Sequence, residues 1–343
     1  MRQYEHGGNI YAHPTCVDFS ANLNPLGMPA AAREALRTCA DACEAYPDPQ
    51  CAKLTDALAA FEHVPREWVL PCAGATDAFV RICLALLPSN ALVCDPCYSG
   101  YEQALELVDA HITHHKLQSE EDFAVTERLV DELDESVNIA FLANPNNPTG
   151  LCVPRVVMDA FLERAAAQDA VVVLDECFVD LTDNGGSNDL LERFANLVIV
   201  KALTKSFCLA GLRVGYAMCS DEGLLARLRL VGQPWAVSAP AQLAGAAALA
   251  DKTYLQRSRG VIMRERIHLM RELRALGLRV VPGEANYLLL EADPKTFEKL
   301  LQRGILVRPC DNFNGLDKRW LRVAIRTSHQ NDLLLRALKE VAR

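Results

Sequence analysis

Residues 171–176 read Val-Val-Val-Leu-Asp-Glu, and this short stretch decides the fold class. Four consecutive apolar residues without alternation are typical of a strand that is covered on both faces, as in a parallel sheet. Asp175 and Glu176 follow at its end, where a carboxylate is costly unless it faces a cation. The stretch therefore predicts a buried strand that ends at a binding site.

Similar apolar runs recur on both sides of this strand, separated by stretches with helical spacing. The predicted strands are Ala91–Cys94, Ile139–Ala143, Val171–Leu174, Leu197–Val200 and Val214–Met218. The predicted helices are Ala75–Leu87, Gly100–Asp109, Pro154–Ala167 and Asp189–Ala195. This alternation predicts an α/β fold with a mostly parallel sheet and helices on both of its faces.

The pattern changes after Ser220, where the helices become longer and the strands shorter, as in an α+β domain. The predicted elements are helices Glu222–Val231, Ala239–Leu249 and Thr253–Leu276, then strands Arg279–Val281, Tyr287–Leu290, Leu306–Arg308 and Leu321–Ile325. The first 45 residues, with one predicted helix at Pro29–Ala42, are too few to form a core alone. We expect a large domain over residues 46–230 and a small domain formed by residues 1–45 and 231–343.

The composition excludes several classes of protein. The chain has 343 residues, with 35 basic and 44 acidic side chains, and its net charge of −9 argues against a nucleic-acid-binding surface. Its longest uncharged apolar stretch falls short of the roughly 20 residues that span a bilayer, and its polar N-terminus is unlike a signal peptide. We expect a cytoplasmic protein that binds neither a membrane nor nucleic acid.

Thirteen cysteines are present, many of them single residues in apolar segments, so we expect reduced thiols. Cys94 and Cys97 have the spacing of zinc ligands, but no second pair follows at a fitting distance. Burial as small apolar side chains is the simpler interpretation, and we expect no metal.

The loops at the carboxyl ends of the strands are where ligands of α/β sheets bind. At one predicted helix start, Gly74, Ala75 and Thr76 offer backbone amides and a hydroxyl to a phosphate, although an ordinary helix N-cap has the same composition. Tyr98 follows another strand and is placed to cover a planar ring, although ordinary core packing would also explain a tyrosine here.

Two further loops carry polar groups. Residues 144–150 read Asn-Pro-Asn-Asn-Pro-Thr-Gly, a rigid loop that holds the Asn147 amide at a defined point. Thr204 and Lys205 precede the segment Gly-Leu-Arg-Val-Gly-Tyr, whose arginine is Arg213. A lysine among such neighbours can lose its proton and attack an aldehyde, whereas an exposed lysine is the general alternative.

The five loops require a single ligand with a flat ring, a ring nitrogen, a ring oxygen, an aldehyde and a phosphate. The residues that would meet these groups are, in that order, Tyr98, Asp175, Asn147, Lys205 and, for the phosphate, Ala75, Thr76, Thr204 and Arg213. Pyridoxal 5'-phosphate has all of these groups. The order and spacing of the motifs, above all NPNNPTG and TKxxxxxGLRxGY, resemble the fold-type I pyridoxal-phosphate enzymes of the class I/II aminotransferase superfamily over essentially the entire chain.

The resemblance implies a role for each group. Asp175 would keep the ring nitrogen protonated, which makes the ring an electron sink. Lys205 would bond covalently to the cofactor and then serve as acid and base, with Tyr98 stacked on the ring. Tyr46 matches a tyrosine that the neighbouring subunit contributes to the cofactor phosphate, and a homodimer is implied.

Two subfamilies fit, the histidinol-phosphate aminotransferases and the threonine-phosphate decarboxylases of cobalamin biosynthesis. The segment His-Gly-Gly-Asn that begins at His6, and the segment Ser-Ala-Asn-Leu-Asn-Pro-Leu-Gly that contains Asn24, resemble the opening of the decarboxylases. Phe178 stands three residues beyond Asp175, where aminotransferases usually have a tyrosine. These features favour the decarboxylases, and transamination stays open as the alternative.

The substrate anions need cations, and the C-terminal part offers Arg308 and Arg322, with Arg326 as a further candidate. Arg322 matches the family's carboxylate-binding arginine, while Arg308, with His6 and Asn24, would hold a phosphate by charge-assisted hydrogen bonds. Solvated surface arginines are the alternative. We expect a lyase that converts O-phospho-L-threonine, or O-phosphoserine as a variant substrate, into the amino alcohol phosphate.

Overall fold

The computed structural model of the protein describes residues 7–341. Its strands are β1 (Val17–Asp18), β2 (Val69–Cys72), β3 (Asn90–Asp95), β4 (His111–Lys116), β5 (Ile139–Ala143), β6 (Val171–Asp175), β7 (Leu197–Ala202), β8 (Gly215–Met218), β9 (Arg279–Val280), β10 (Tyr287–Glu291), β11 (Ile305–Leu306), β12 (Arg308–Pro309) and β13 (Trp320–Ala324). Its α-helices are α1 (Ala30–Arg37), α2 (Ala52–Glu62), α3 (Ala75–Leu86), α4 (Gly100–Glu106), α5 (Arg128–Asp131), α6 (Arg155–Ala167), α7 (Leu203–Ser206), α8 (Glu222–Val231), α9 (Ala239–Leu249), α10 (Tyr254–Ala275), α11 (Thr296–Leu301) and α12 (Ser328–Val341).

Seven strands form the central sheet in the order β2-β8-β7-β6-β5-β3-β4. Neighbouring strands are parallel except at β8, which runs antiparallel to both β2 and β7. The sheet is therefore mostly parallel, and the predicted α/β fold class is confirmed.

Both faces of this sheet are covered, because successive side chains of a strand point to opposite faces. Val172 and Leu174 of β6 belong to the hydrophobic cluster that includes Phe161 of α6. Val173 belongs to the cluster on the other face, which includes Phe79 of α3. The unbroken apolar run that begins at residue 171 is thus explained by burial on two sides.

A second sheet of four antiparallel strands, in the order β12-β13-β10-β9, lies in the C-terminal part of the chain. The N-terminal segment packs against this part, as expected, since β1 pairs in parallel with β11. The Phe19 carbonyl also accepts a hydrogen bond of 2.8 Å from the amide of Ala324. This pairing brings the N-terminal segment beside β12 and β13.

Three predicted elements differ from the structure. Asp189–Ala195 is not an α-helix, since a 3-10 turn at Asn188–Leu190 is followed by irregular turns with i to i+3 hydrogen bonds. The predicted helix Pro29–Ala42 ends at Arg37. The predicted strand Leu306–Arg308 is two short strands, because β11 pairs with β1 while β12 pairs with β13.

The topology places the carboxyl ends of β3, β5, β6 and β7 at one edge of the sheet, followed by the loops that carry the candidate residues. Between residues 7 and 341, no helix has the length and hydropathy that a bilayer-spanning segment requires.

Candidate active site

A cavity of about 220 Å³ lies at this edge, between the central sheet and the strands of the smaller sheet. Most of the predicted site residues line it together, namely Ala75, Thr76, Tyr98, Asn147, Asp175, Thr204, Lys205, Arg213, Arg308 and Arg322. Residues far apart in the sequence therefore converge on one cavity.

Lys205 lies on α7, directly after β7, and its amine makes no hydrogen bond or ion pair with any residue between 7 and 341. The ring centroid of Phe178 is 6.0 Å from Nζ. Burial, and then the nearby guanidinium of Arg322, lower the pKa of the amine to about 8. An amine that loses its proton near neutral pH is suited to nucleophilic attack on an aldehyde.

Asn24 does not line the cavity, which corrects its prediction as a substrate-binding residue. Its side-chain Nδ2 donates to the carbonyl of Ser206 at 2.8 Å and to the hydroxyl of Ser258 at 2.7 Å. Its backbone amide donates to the carbonyl of Lys205 at 3.2 Å. Through these hydrogen bonds, the buried Asn24 holds the segment that carries Lys205 in place.

Asp175 ends β6 and faces the cavity without a cationic partner among the described residues. Its Oδ1 accepts a hydrogen bond of 2.9 Å from the Cys177 amide, and its Oδ2 accepts one of 2.6 Å from the Tyr101 hydroxyl. Burial raises the pKa of the carboxyl group, while these donors act in the opposite direction. A cationic N–H group in the cavity would complete this site.

The N-terminus of α3 forms an anion-binding cradle with Arg213. Gly74 caps the helix with a φ of 88°, and a Cβ atom at this position would lie only 2.7 Å from Nη2 of Arg213. Gly74 itself does not line the cavity; its missing side chain lets the guanidinium approach. Thr76 and Thr204 line the same cavity, so a helix N-terminus, two threonines and one cation lie near a space suited to a phosphate.

Tyr98 supplies an aromatic wall of the cavity. Its hydroxyl lies 3.4 Å from the Thr76 hydroxyl, and its ring packs edge-on against Tyr101 at a centroid distance of 5.6 Å. A Cβ atom on Gly100 would come within 2.2 Å of the Tyr98 ring. The glycine that begins α4 therefore makes room for this wall.

Arg322 of β13 reaches the cavity beside Asn147. One guanidinium nitrogen donates to Oδ1 of Asn147, and the other donates to the carbonyl of Ser20 at 2.9 Å. Its buried Nε has no hydrogen-bond partner among the described residues. Because the Asn147 oxygen is taken by this contact, the amide NH₂ of Asn147 remains as the donor for a ligand oxygen.

Arg308 stands directly opposite Arg322 in the register of β12 and β13. Its guanidinium donates to the Asn312 side chain at 2.7 Å and lies 5.4 Å from the ring centroid of Phe313. Both arginines are buried and line the cavity. Arg326, the further candidate, does not line it.

Residues 14–340 match the sequence model of the family described as aminotransferase class I and II. The chain belongs to this family. A threonine-phosphate decarboxylase of Salmonella typhimurium is 36% identical to the chain, over 98% of this chain and 96% of the relative. A histidinol-phosphate aminotransferase of Moorella thermoacetica is 33% identical, over 95% of this chain and 85% of the relative.

Solved structures of the class I/II aminotransferase family agree. The histidinol-phosphate aminotransferase from Clostridium acetobutylicum matches with a TM-score of 0.89 and 26% identity, over 94% of this chain and 98% of that chain. The L-threonine-O-3-phosphate decarboxylase from Porphyromonas gingivalis matches with a TM-score of 0.84 and 26% identity, with the same coverage. The protein is a pyridoxal-phosphate-dependent enzyme of this family.

The cavity of this aminotransferase-family enzyme fits the cofactor. The unpaired amine of Lys205 suits an aldehyde, the uncompensated carboxylate of Asp175 suits a protonated ring nitrogen, and the Gly74–Arg213 cradle suits a phosphate. When bound, pyridoxal phosphate supplies an aldehyde that bonds covalently to an amine, and a ring that accepts electrons from the substrate's α-carbon. The roles of the individual residues toward it are proposals.

Several residues of the cavity wall were not predicted as site residues. Asn22 is buried and its Oδ1 has no hydrogen-bond partner among the described residues. Cys177 and Phe178 line the wall next to Asp175. The asparagine-rich segment around Asn24 was the available signal for Asn22, but the side-chain directions of an irregular segment do not follow from the sequence.

Two further predicted residues are His6 and Tyr46. His6 is outside the described residues, whereas its neighbour Gly7 lines the cavity. Tyr46 does not line the cavity of its own chain; its side chain is 80% exposed and stacks on Trp235 at 4.7 Å. A residue that reaches the site of a second copy must be exposed on its own chain, so this position suits the predicted role in a dimer.

All thirteen cysteines are free thiols, and Cys94 and Cys97 are buried. Near them, Asp95, Glu102 and His114 bring metal-binding atoms within 4.8 Å of one another. His114 Nδ1 lies 2.7 Å from Asp95, and Asn314 donates to Glu102 at 2.6 Å.

Proposed function

We propose that the enzyme decarboxylates O-phospho-L-threonine to (R)-1-amino-2-propanol O-2-phosphate, a reaction of cobalamin biosynthesis. In this reaction the bond between the α-carbon and the carboxylate breaks, carbon dioxide leaves, and the α-carbon gains a proton. The full-length similarity to a threonine-phosphate decarboxylase supports this proposal. O-Phosphoserine is a second substrate of the same charge.

The pair of arginines supports a substrate with two anionic groups. Arg308 and Arg322 stand opposite each other in the register of neighbouring strands and open into the cavity that contains Lys205. Arg322, fixed by Asn147 and Ser20, would bind the carboxylate, and Arg308 would bind the phosphate. Both guanidinium groups are buried and line the cavity, and a guanidinium group binds carboxylates and phosphates through charge-assisted hydrogen bonds.

The orientation of the substrate decides which bond breaks, because only a bond perpendicular to the plane of the cofactor ring passes its electrons into that ring. Binding of the remote phosphate by Arg308 would turn the carboxylate into that direction. Lys205 would then deliver a proton to the α-carbon from its Nζ, and its lowered pKa of about 8 suits such an exchange.

Phe178 is a family feature that, beside the segments at His6 and Asn24, favours the decarboxylases over the aminotransferases. Its ring lies in the cavity wall beside Lys205 and packs edge-on against Tyr287 at 5.0 Å. The aminotransferases usually place a tyrosine hydroxyl at this position, and a phenylalanine cannot donate a hydrogen bond to the cofactor's ring oxygen.

Histidinol-phosphate transamination is the second candidate, favoured by the TM-score of 0.89 to an enzyme of that name. Transamination requires the α-hydrogen, rather than the carboxylate, to stand perpendicular to the ring. Lys205 would then move that proton, and the arginines would again bind the phosphate and a carboxylate.

A homodimer and a cytoplasmic location belong to this proposal. The exposed stack of Tyr46 and Trp235 supplies a surface from which Tyr46 would reach the cofactor phosphate of a second copy. The thirteen free thiols suit a reducing compartment. The proposal also divides the chain into a large domain of residues 46–230 and a small domain of residues 1–45 and 231–343.

The product assay separates the two reactions. Purified enzyme loaded with pyridoxal phosphate is given O-phospho-L-threonine, and released carbon dioxide is measured beside a Lys205→Ala control. We expect carbon dioxide from the wild type alone. The same assay with O-phosphoserine shows whether the enzyme also accepts that substrate. Amino transfer from glutamate to imidazole-acetol phosphate, without carbon dioxide from phosphothreonine, would overturn the proposal.

A further inference from the structure

Tyr101 is a buried residue that the sequence does not mark as functional. It is the second residue of α4, and only 1% of its surface is exposed. Its hydroxyl donates to Oδ2 of Asp175 at 2.6 Å, across 74 residues of sequence. Tyr101 thus connects the start of a helix with the carboxylate that faces the cavity.

The ring of Tyr101 is fixed on several sides. It stacks on Phe141 of β5 at a centroid distance of 5.1 Å, with an angle of 19° between the rings. Phe79 packs edge-on against it at 5.1 Å, and Tyr98 does so at 5.6 Å. A ring held in this way cannot turn, so its hydroxyl stays directed at the carboxylate.

Asp175 depends on this hydroxyl for its orientation. One of its oxygens is held by the backbone amide of Cys177, and the other is held by the side chain of Tyr101. A tyrosine hydroxyl has one proton to donate, and burial raises the pKa of Tyr101 well above its usual value, so the donor stays protonated. A hydrogen bond to the ionised carboxylate stabilises its charged form.

We propose that Tyr101 is a positioning residue that acts through Asp175. It fixes the carboxylate in the direction of the cavity, keeps it ionised so that a ring nitrogen there retains its proton, and supports the stacking ring of Tyr98. This inference rests on the role proposed for Asp175, and it holds for decarboxylation and for transamination alike.

The other buried tyrosines of residues 7–341 do not have this arrangement. Tyr216 donates to Glu62, Tyr254 to the carbonyl of Gly27, and Tyr287 to the carbonyl of Asn146. None of these acceptors lines the cavity. Tyr254→Phe is therefore a matched control, since it removes one buried tyrosine hydroxyl from a place outside the site.

The test compares wild type, Tyr101→Phe and Tyr254→Phe. We measure the dissociation constant of pyridoxal phosphate from the apoenzyme, kcat and KM, the pH dependence of kcat, and the thermal midpoint. We expect Tyr101→Phe to lower kcat about tenfold with little change in KM, because a hydrogen bond to a charged group is lost. The acid limb of kcat should move to higher pH and the cofactor should bind more weakly, whereas Tyr254→Phe should change only the thermal midpoint.

The double variant Tyr101→Phe/Asp175→Asn shows whether the two residues act together. If Tyr101 acts through Asp175, the tyrosine substitution will have no further effect on kcat in the Asp175→Asn background. A Tyr101→Phe enzyme with unchanged kcat, pH profile and cofactor affinity overturns the inference, even when Asp175→Asn is inactive. A fully active Asp175→Asn enzyme removes the role of Asp175 itself, and amino transfer in place of carbon dioxide release affects only the proposed reaction.

Discussion

Lys201 and Lys205 lie four residues apart, yet only Lys201 has anionic partners. Its amine is 2.7 Å from a carboxylate oxygen of Glu62 and 2.7 Å from one of Asp180; burial disfavours the charged amine, but these carboxylates raise its pKa above the usual value and keep it ionised. The amine of Lys205 forms no ion pair within residues 7–341 and faces the cavity. The contacts of Lys201 therefore suit a structural role, whereas the surroundings of Lys205 suit a role in chemistry.

This difference predicts effects of very different size on stability for two similar substitutions. Lys201→Met should lower the free energy of unfolding by about 3–5 kcal/mol, because Glu62 and Asp180 are left buried without a cation. Lys205→Met should cost less than about 1.5 kcal/mol, since no partner is lost. Urea unfolding of the two apoenzymes measures both effects. Equal losses in the free energy of unfolding would contradict the difference inferred between the two lysines.

The reactivity of Lys205 should depend on pH around 8. Only the neutral amine attacks an aldehyde, so the rate at which apoenzyme takes up pyridoxal phosphate should rise as the pH increases through about 8 and then level off. Arg322→Gln should move the midpoint to higher pH, because the neighbouring positive charge disfavours the ammonium form. Stopped-flow absorbance measures these rates; a midpoint above 10 in the wild type, or none of the expected shift in the variant, would contradict the assignment.

Asp175→Asn should still bind the cofactor yet lose about 100-fold or more in kcat, because an amide cannot stabilise a protonated ring nitrogen as a carboxylate does. Asp95→Asn is the control, since Asp95 also ends a strand but does not line the cavity. Steady-state kinetics and cofactor absorbance report both effects. Normal turnover by Asp175→Asn would show that Asp175 is not the group that keeps the ring nitrogen protonated.

The two arginines should affect binding differently. Arg308→Ala should raise KM for O-phospho-L-threonine by about 10- to 100-fold, because one charge-assisted hydrogen bond to the phosphate is lost. The KM for unphosphorylated L-threonine should not change. Arg322→Ala should weaken both substrates and retain the absorbance of the bound cofactor. If Arg308→Ala affected both substrates equally, Arg308 would not be the phosphate ligand.

Much of the fold follows from the sequence because the strands of a doubly covered sheet are apolar throughout. The predicted strands at Ala91–Cys94, Ile139–Ala143 and Val171–Leu174 all lie within observed strands of the central sheet. The antiparallel direction of β8 is not encoded in its own residues, since it depends on the connection from β7. Asp189–Ala195 has helical spacing, but its backbone follows the 3-10 turn at Asn188–Leu190.

The site was predictable where loop composition constrains the backbone, and less so where it depends on contacts between distant segments. Asp175 ends β6 and Lys205 lies on the helix directly after β7, so strand prediction brings these two residues together, whereas Arg213 precedes β8 and is marked only by its motif. Asn24 and Asn22 are two residues apart in an irregular segment, and only the structure shows which one faces the cavity.

Covalent trapping tests the central claim most directly. Enzyme loaded with pyridoxal phosphate is reduced with borohydride and digested, and the labelled peptide is sequenced by mass spectrometry. We expect the reduced cofactor to label the peptide that contains Lys205. The Lys205→Ala variant, treated in the same way, should carry no label. A label on Lys201 or on any other lysine, or no label on the wild type, would contradict the account.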